Sequence, residues 1–99
     1  MNKNYQRGTR FERVIISSLE ELGYATLRTA GSHGFADVVA VNDKLVRFIQ
    51  SKVTKEPKIR LSTYKKDVSK ILLTHSPDNT TKELWIKVDR KEPYKILIL

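Results

Sequence analysis

Phe35-Ala36-Asp37-Val38-Val39-Ala40-Val41 and Leu45-Val46-Arg47-Phe48-Ile49-Gln50-Ser51-Lys52 decide the fold of this chain. Only Asn42-Asp43-Lys44 separates these two β-rich stretches, a connection short enough for a tight hairpin. With Asp43 and Lys44 as the central turn residues, Asn42 faces Leu45, Val41 faces Val46, and the ladder carries Asp37 opposite Gln50. Side chains alternate along a strand, so Gln50 and Lys52 share one face and Ser51 takes the other. The first face reads Asp37, Val39, Val41, Val46, Phe48, Gln50, Lys52: apolar at the turn, polar at the open end. A carboxylate, an amide and an ammonium at the rim of an apolar surface have the composition of an active site.

Outward from the hairpin, the pattern predicts a helix over Thr9–Leu22, with Phe11, Ile15, Leu19 and Leu22 on one stripe beside Val14. Thr9-Arg10-Phe11-Glu12 fits a capping box, Gly23 is a natural stop, and Met1–Arg7 is expected to fray. Tyr24–Thr29 reads as a strand, followed by the loop Ala30-Gly31-Ser32-His33-Gly34. After a basic connection through Pro57, a second helix is expected over Ser62–Thr74, with Tyr64, Val68, Ile71 and Leu72 as its stripe. Glu83–Val88 alternates like a half-buried strand, and Tyr94–Leu99 is a final apolar strand that needs cover from a helix or a partner subunit. The order α-β-β-β-α-β-β predicts a single α/β domain over residues 1–99 with a mixed sheet.

Ninety-nine residues leave no room for a second core. The 19 Lys and Arg against 11 Asp and Glu give a formal charge of +8, which points to a polyanion partner, most simply nucleic acid. No apolar run is long enough to span a membrane, and no signal-peptide core is present, so no membrane partner is expected. The absence of cysteine excludes disulfides and thiolate zinc sites and fits a cytoplasmic setting. Only two histidines, His33 and His75, are available, too few and too far apart in sequence to favour a histidine metal site.

Four elements in order carry a resemblance: Gly8-Thr9-Arg10-Phe11-Glu12, Arg28-Thr29-Ala30-Gly31-Ser32, Asp37-Val38-Val39-Ala40 and Gln50-Ser51-Lys52. They resemble the motifs of the PD-(D/E)XK nuclease superfamily, and more narrowly the archaeal-type Holliday junction resolvases, over about Arg7 to Lys55. The resemblance implies a restriction-endonuclease-like fold and a Mg²⁺-dependent endonuclease, with Mn²⁺ as a substitute metal, that acts as a homodimer on four-way DNA junctions in recombination and repair. It implies Glu12, Asp37 and Gln50 as metal ligands, Lys52 as the residue that orients or deprotonates the attacking water, and Ser32 near the scissile group. Arg10, Arg28, Ser32, His33 and Lys55 would contact DNA. Two positions depart from the pattern: Ala36 replaces a frequent proline, and Gln50 replaces the usual glutamate, removing one negative charge.

Each residue also has a plainer role open to it. Glu12 could serve only the capping box, Asp37 a turn, Ser32 the glycine loop, and Lys52 a solvated strand end. At the level of function, three alternatives stand beside the resolvase: a nuclease of the same superfamily acting on other DNA, a catalytically inactive nuclease fold that only binds DNA, and a small RNA-binding protein. Gln50 favours the second, and the lack of clustered aromatics speaks against the third.

Overall fold

The computed structural model describes residues 3–29, 35–91 and 94–99, with side chains from Arg7 onward. Among them the elements run α1 (Lys3–Glu21), β1 (Ala25–Arg28), β2 (Val38–Val41), β3 (Val46–Thr54), a 3-10 turn (Leu61–Tyr64), α2 (Lys65–Leu73), β4 (Thr80–Val88) and β5 (Tyr94–Ile98). The five strands form one sheet in the order β1-β2-β3-β4-β5. Every neighbouring pair is antiparallel except β3 and β4, which run parallel. A parallel pair requires a crossover, and the segment through α2 supplies it.

The hairpin has the expected register. Val41 pairs with Val46 and Val38 with Ile49, and the Asn42 amide donates to the Leu45 carbonyl at 3.0 Å. The Asn42 side-chain oxygen accepts from the Lys44 and Leu45 amides, both at 2.9 Å, so the turn satisfies its own donors. β2 itself is shorter than the apolar run suggests and starts at Val38, which leaves Asp37 just outside the strand.

Helices cover both faces of the sheet. Phe11, Ile15 and Leu19 of α1 pack on Val38, Ala40, Ile49 and Trp85. On the opposite face, Tyr64 and Ile71 pack with Phe35, Leu84 and Ile86, and Phe48 lies against them. Odd-numbered β3 residues such as Ile49 and Val53 therefore face α1, while Phe48, and with it Gln50 and Lys52, faces α2.

Several expectations need correction. α1 begins at Lys3, not Thr9, so residues 3–7 are helical and Thr9 lies inside the helix, where it cannot be an N-cap. The helix runs past the apparent capping box despite Asn4 and Gly8, and an ion pair from Arg7 to Asp89 at 2.8 Å ties its first turns to the sheet. Its end is as expected: Gly23 has φ +92, and the Gly23 and Tyr24 amides reach the Glu20 and Leu19 carbonyls, a Schellman closure. The second helix opens as a 3-10 turn at Leu61, and Leu72 is exposed rather than part of the buried stripe.

β4 is not half-buried. Glu83, Leu84, Trp85 and Ile86 are all buried, because the strand sits inside the sheet with a helix on each side. The alternation in its sequence arises from Glu83, whose carboxylate is fully buried against Arg47. β5 is the sheet edge; Leu97 and Leu99 pack inward, whereas Ile96 and Ile98 are exposed.

Candidate active site

Asp37 stands at the mouth of the hairpin because two backbone bonds fix its main chain. Its amide donates to the Ile49 carbonyl at 2.8 Å, and its carbonyl accepts from the Thr29 amide at 2.9 Å. The Thr29 hydroxyl also donates to the Ala36 carbonyl at 2.5 Å, tying the end of β1 to the same turn. The carboxylate does not simply follow the pleat. Its Oδ2 accepts from the Ser51 amide at 2.9 Å and the Ser51 hydroxyl at 3.2 Å. Because Asp37 precedes the regular strand, its side chain can bend toward Ser51 rather than share one flat face with Gln50 and Lys52. Both bonds use Oδ2, so Oδ1 keeps its acceptor capacity.

Gln50 is the most telling neighbour. Its Oε1 is buried and has no hydrogen-bond partner among the described residues. A buried acceptor left unsatisfied costs about 1–3 kcal/mol, so native structures rarely tolerate one without a ligand or role. Lys52, two residues on and on the same face, places its Nζ 3.3 Å from Oδ1 of Asp67. Asp67 lies in the first turn of α2, and the sequence reading did not single it out. The available signal was its place as the only acid among the lysines of Lys65–Leu73.

Glu12 is held elsewhere. Its Oε1 accepts from Arg28 Nε at 2.6 Å, and Arg28 Nη2 lies 3.4 Å from the Thr9 hydroxyl. The pair joins α1 to β1 and places Glu12 on the Arg28 side of the site. Among the described residues, no three acids or histidines gather into a metal-binding group. Ser32 and His33 lie outside the described residues.

The remaining basic residues divide by position. Arg10 lines a cleft of about 340 Å³ between α1 and the far ends of β3 and β4, with Arg7, Lys87, Asp89 and Arg90 around it and Phe11, Val14 and Val53 beneath. Arg90 adopts φ 64, an uncommon conformation for a residue with a Cβ. Lys55 is exposed just past β3. Arg10 and Lys55 are thus available to a polyanion, and Arg28 sits beside Glu12.

The oxygen donors at this hairpin suit a hard divalent cation: a carboxylate at Asp37 and, at Gln50, an amide oxygen with no partner among the described residues. The five-stranded mixed sheet between two helices, with this hairpin at its centre, defines the class as an α/β domain of restriction-endonuclease-like fold. A sequence-family model described as archaeal Holliday junction resolvase (Hjc) matches residues 3–98, and the chain belongs to that family. A curated relative, the crossover junction endodeoxyribonuclease Hjc of Methanocaldococcus jannaschii, is 32% identical over 72 residues, covering 73% of this chain and 52% of the relative. The chain thus spans about half the length of that relative. The solved structure of Archaeoglobus fulgidus Hjc, a Holliday junction resolvase from an archaeal hyperthermophile, superposes with a TM-score of 0.67 at 24% identity, covering 92% of this chain and 71% of that one. At that identity the likeness establishes the shared fold.

Proposed function

We propose that this chain is a Mg²⁺-dependent endonuclease that cuts four-way DNA junctions as a homodimer, with Mn²⁺ able to replace Mg²⁺. The observation that carries the catalytic part is the buried Gln50 oxygen, without a partner among the described residues, two residues before Lys52 on β3 and at the same open end of the hairpin as the Ser51-held Asp37 carboxylate. Asp37 Oδ1 and Gln50 Oε1 would hold the metal. When bound, Mg²⁺ supplies a polarised phosphoryl oxygen and a water acidic enough to attack the phosphodiester.

The chain's own residues do the rest. Ser51 locks the Asp37 carboxylate through two hydrogen bonds, so its free oxygen points one way. Lys52 brings a positive charge to the place where negative charge develops on the phosphate and orients the attacking water. Arg28, paired with Glu12, would exchange that carboxylate for a backbone phosphate and so free Glu12 to serve as a further metal ligand. Arg10 and Lys55, with Ser32 and His33 of the glycine loop, would grip backbone. Such contacts recognise shape rather than base sequence, as suits a branched recombination or repair intermediate.

A four-way junction offers two related cut sites, which a two-fold dimer matches with paired active sites. The exposed Ile96 and Ile98 on the edge strand β5 favour a second copy of the chain as cover. Sedimentation should return twice the monomer mass at micromolar concentration, and a monomer that still cuts both strands would remove the dimer from the account.

Gln50 favours one rival reading, a module of the same fold that binds DNA without cutting it. Asp37→Asn separates the two. It keeps the shape and removes the charge, so cleavage should fall on the order of a thousandfold, the effect of losing several kcal/mol of charge stabilisation. Junction affinity in gel shift should stay within about twofold, because the phosphate grip is elsewhere. Undiminished cleavage by Asp37→Asn would remove Asp37 from the site.

A further inference from the structure

Asp67 is the acid that meets Lys52 of β3. Leu84 and Ile86 of β4 are paired with Gln50 and Lys52 of β3, and both pack against Ile71 of α2. Ile71 is fully buried. Asp67 precedes it by four residues, one helical turn, and so lies on the same sheet-facing side of α2. Its carboxylate therefore reaches over the face of β3 that carries Gln50 and Lys52, and the 3.3 Å contact to Lys52 Nζ follows.

A first-turn acid is also what a helix dipole favours, and that role alone would leave Asp67 pointing at solvent or at its neighbours Lys66 and Lys70. Instead, with three lysines on its own helix, it pairs with Lys52 at the open end of the hairpin. The pairing has a chemical cause in the sequence of β3. In a Glu-X-Lys arrangement the carboxylate two residues back supplies negative charge on the same face as the ammonium. Here Gln50 is neutral, its oxygen unsatisfied, and Lys52 would add positive charge to a site that must attract a cation. Counting Asp37, Lys52 and Asp67, the site carries one net negative charge; without Asp67 it carries none.

We infer that Asp67 is a positioning residue for the hairpin site: its carboxylate fixes Lys52 and restores the negative charge that Gln50 does not provide. The inference rests on the nuclease reading above for its catalytic consequence, but not for its electrostatic one. Alternate strand residues lie about 6.5 Å apart, so a carboxylate bonded to Lys52 acts on a cation at Gln50 through space, without joining its ligands.

The test uses the full chain and three variants: Asp67→Asn, Gln50→Glu, and the two combined. Mn²⁺ binding is read by electron paramagnetic resonance on protein without DNA, beside single-turnover cleavage of a four-way junction and a thermal melt. Asp67→Asn should weaken Mn²⁺ binding and slow cleavage by about 10–100-fold, the scale for residues that orient a metal site's ligands, with junction affinity unchanged. Adding Gln50→Glu should return most of both losses, because the missing charge reappears two residues from Lys52. A purely structural Asp67 would not be rescued by an acid on a different element. Unchanged Mn²⁺ affinity in Asp67→Asn, or losses that Gln50→Glu fails to restore, would overturn the inference. Should Asp67→Asn melt far below wild type, Asp67→Glu replaces it: retained Mn²⁺ affinity and cleavage support the role, and their loss overturns it. If wild type binds Mn²⁺ but cuts no DNA, the nuclease reading fails while the Mn²⁺ comparison still decides the role of Asp67.

Discussion

On the proposed reading the chemistry centres on one atom, the Gln50 side-chain oxygen. It is buried with no donor among the described residues, which is unfavourable in a folded protein unless something electropositive comes to it. Asp37, clamped by Ser51 beside it, supplies the charge that makes a cation a better visitor than a water. On this account Gln50→Glu should tighten the site, lowering the Mg²⁺ needed for half-maximal cleavage by roughly tenfold, since ligand charge count sets the affinity of oxygen sites. A metal titration superimposable on wild type would mean that position 50 is not a ligand. The residues of this hairpin were legible in the sequence because turn length fixes register, and register fixes which side chains meet. Asp67 was not legible, because a contact between helix and strand across fifteen residues has no signature in spacing.

Among the elements, β3 and β4 are joined under the hairpin by the buried Arg47–Glu83 pair. Arg47 gives Glu83 two hydrogen bonds, at 2.7 and 2.8 Å, while Thr81 and Trp85 Nε1 donate to the same carboxylate. The guanidinium also lies over the rings of Tyr24 and Trp85, so it is packed as well as paired. Burial pushes the Glu83 carboxyl up, but the hydrogen bonds from Arg47, Thr81 and Trp85 and the Arg47 charge outweigh it, and the group titrates below its ordinary value. The hydrogen bond to Glu83 raises Arg47 above its ordinary value despite burial, beyond any accessible pH.

A carboxylate depressed in the folded state stabilises above its unfolded pKa, near 4.5, and loses that contribution as pH falls through the folded value. Urea unfolding should accordingly show stability falling below about pH 4.5, with this slope reduced in Glu83→Gln. Glu83→Ala, which strands a buried guanidinium, should cost about 3–5 kcal/mol at neutral pH. A loss under 1 kcal/mol would show that the pair is not held as described. This network explains why β4 misled the sequence reading. One charged residue in an apolar run looks like a solvent-facing position, and nothing local announces a partner thirty-six residues away. The start of α1 misled for a related reason: a good local cap, Thr9 to Glu12, gave way to continued helix, and Glu12 was taken up by Arg28.

For the molecule as a whole, a parallel β3–β4 pair at the centre, α1 on one face and α2 on the other place the hairpin mouth where both helices can contribute to it. α2 brings Asp67 to Lys52, while on α1 Glu12 is paired with Arg28 of β1 and Arg10 lines the neighbouring cleft. On the proposed reading, the surplus of eight positive charges would draw a polyanion toward the chain and its phosphates toward the acids of the candidate site. Element order and fold class were readable from periodicity, whereas the two-sided cover of the sheet depended on the crossover.

The most direct measurement is single-turnover cleavage of a synthetic four-way junction and of a linear duplex with the same arm sequences, each with Mg²⁺ and with EDTA. The account predicts paired nicks in two opposed strands of the junction in Mg²⁺, little cutting of the duplex, and none of either in EDTA. Tight junction binding with no cleavage in Mg²⁺ or Mn²⁺ would contradict it and leave a module that only holds DNA.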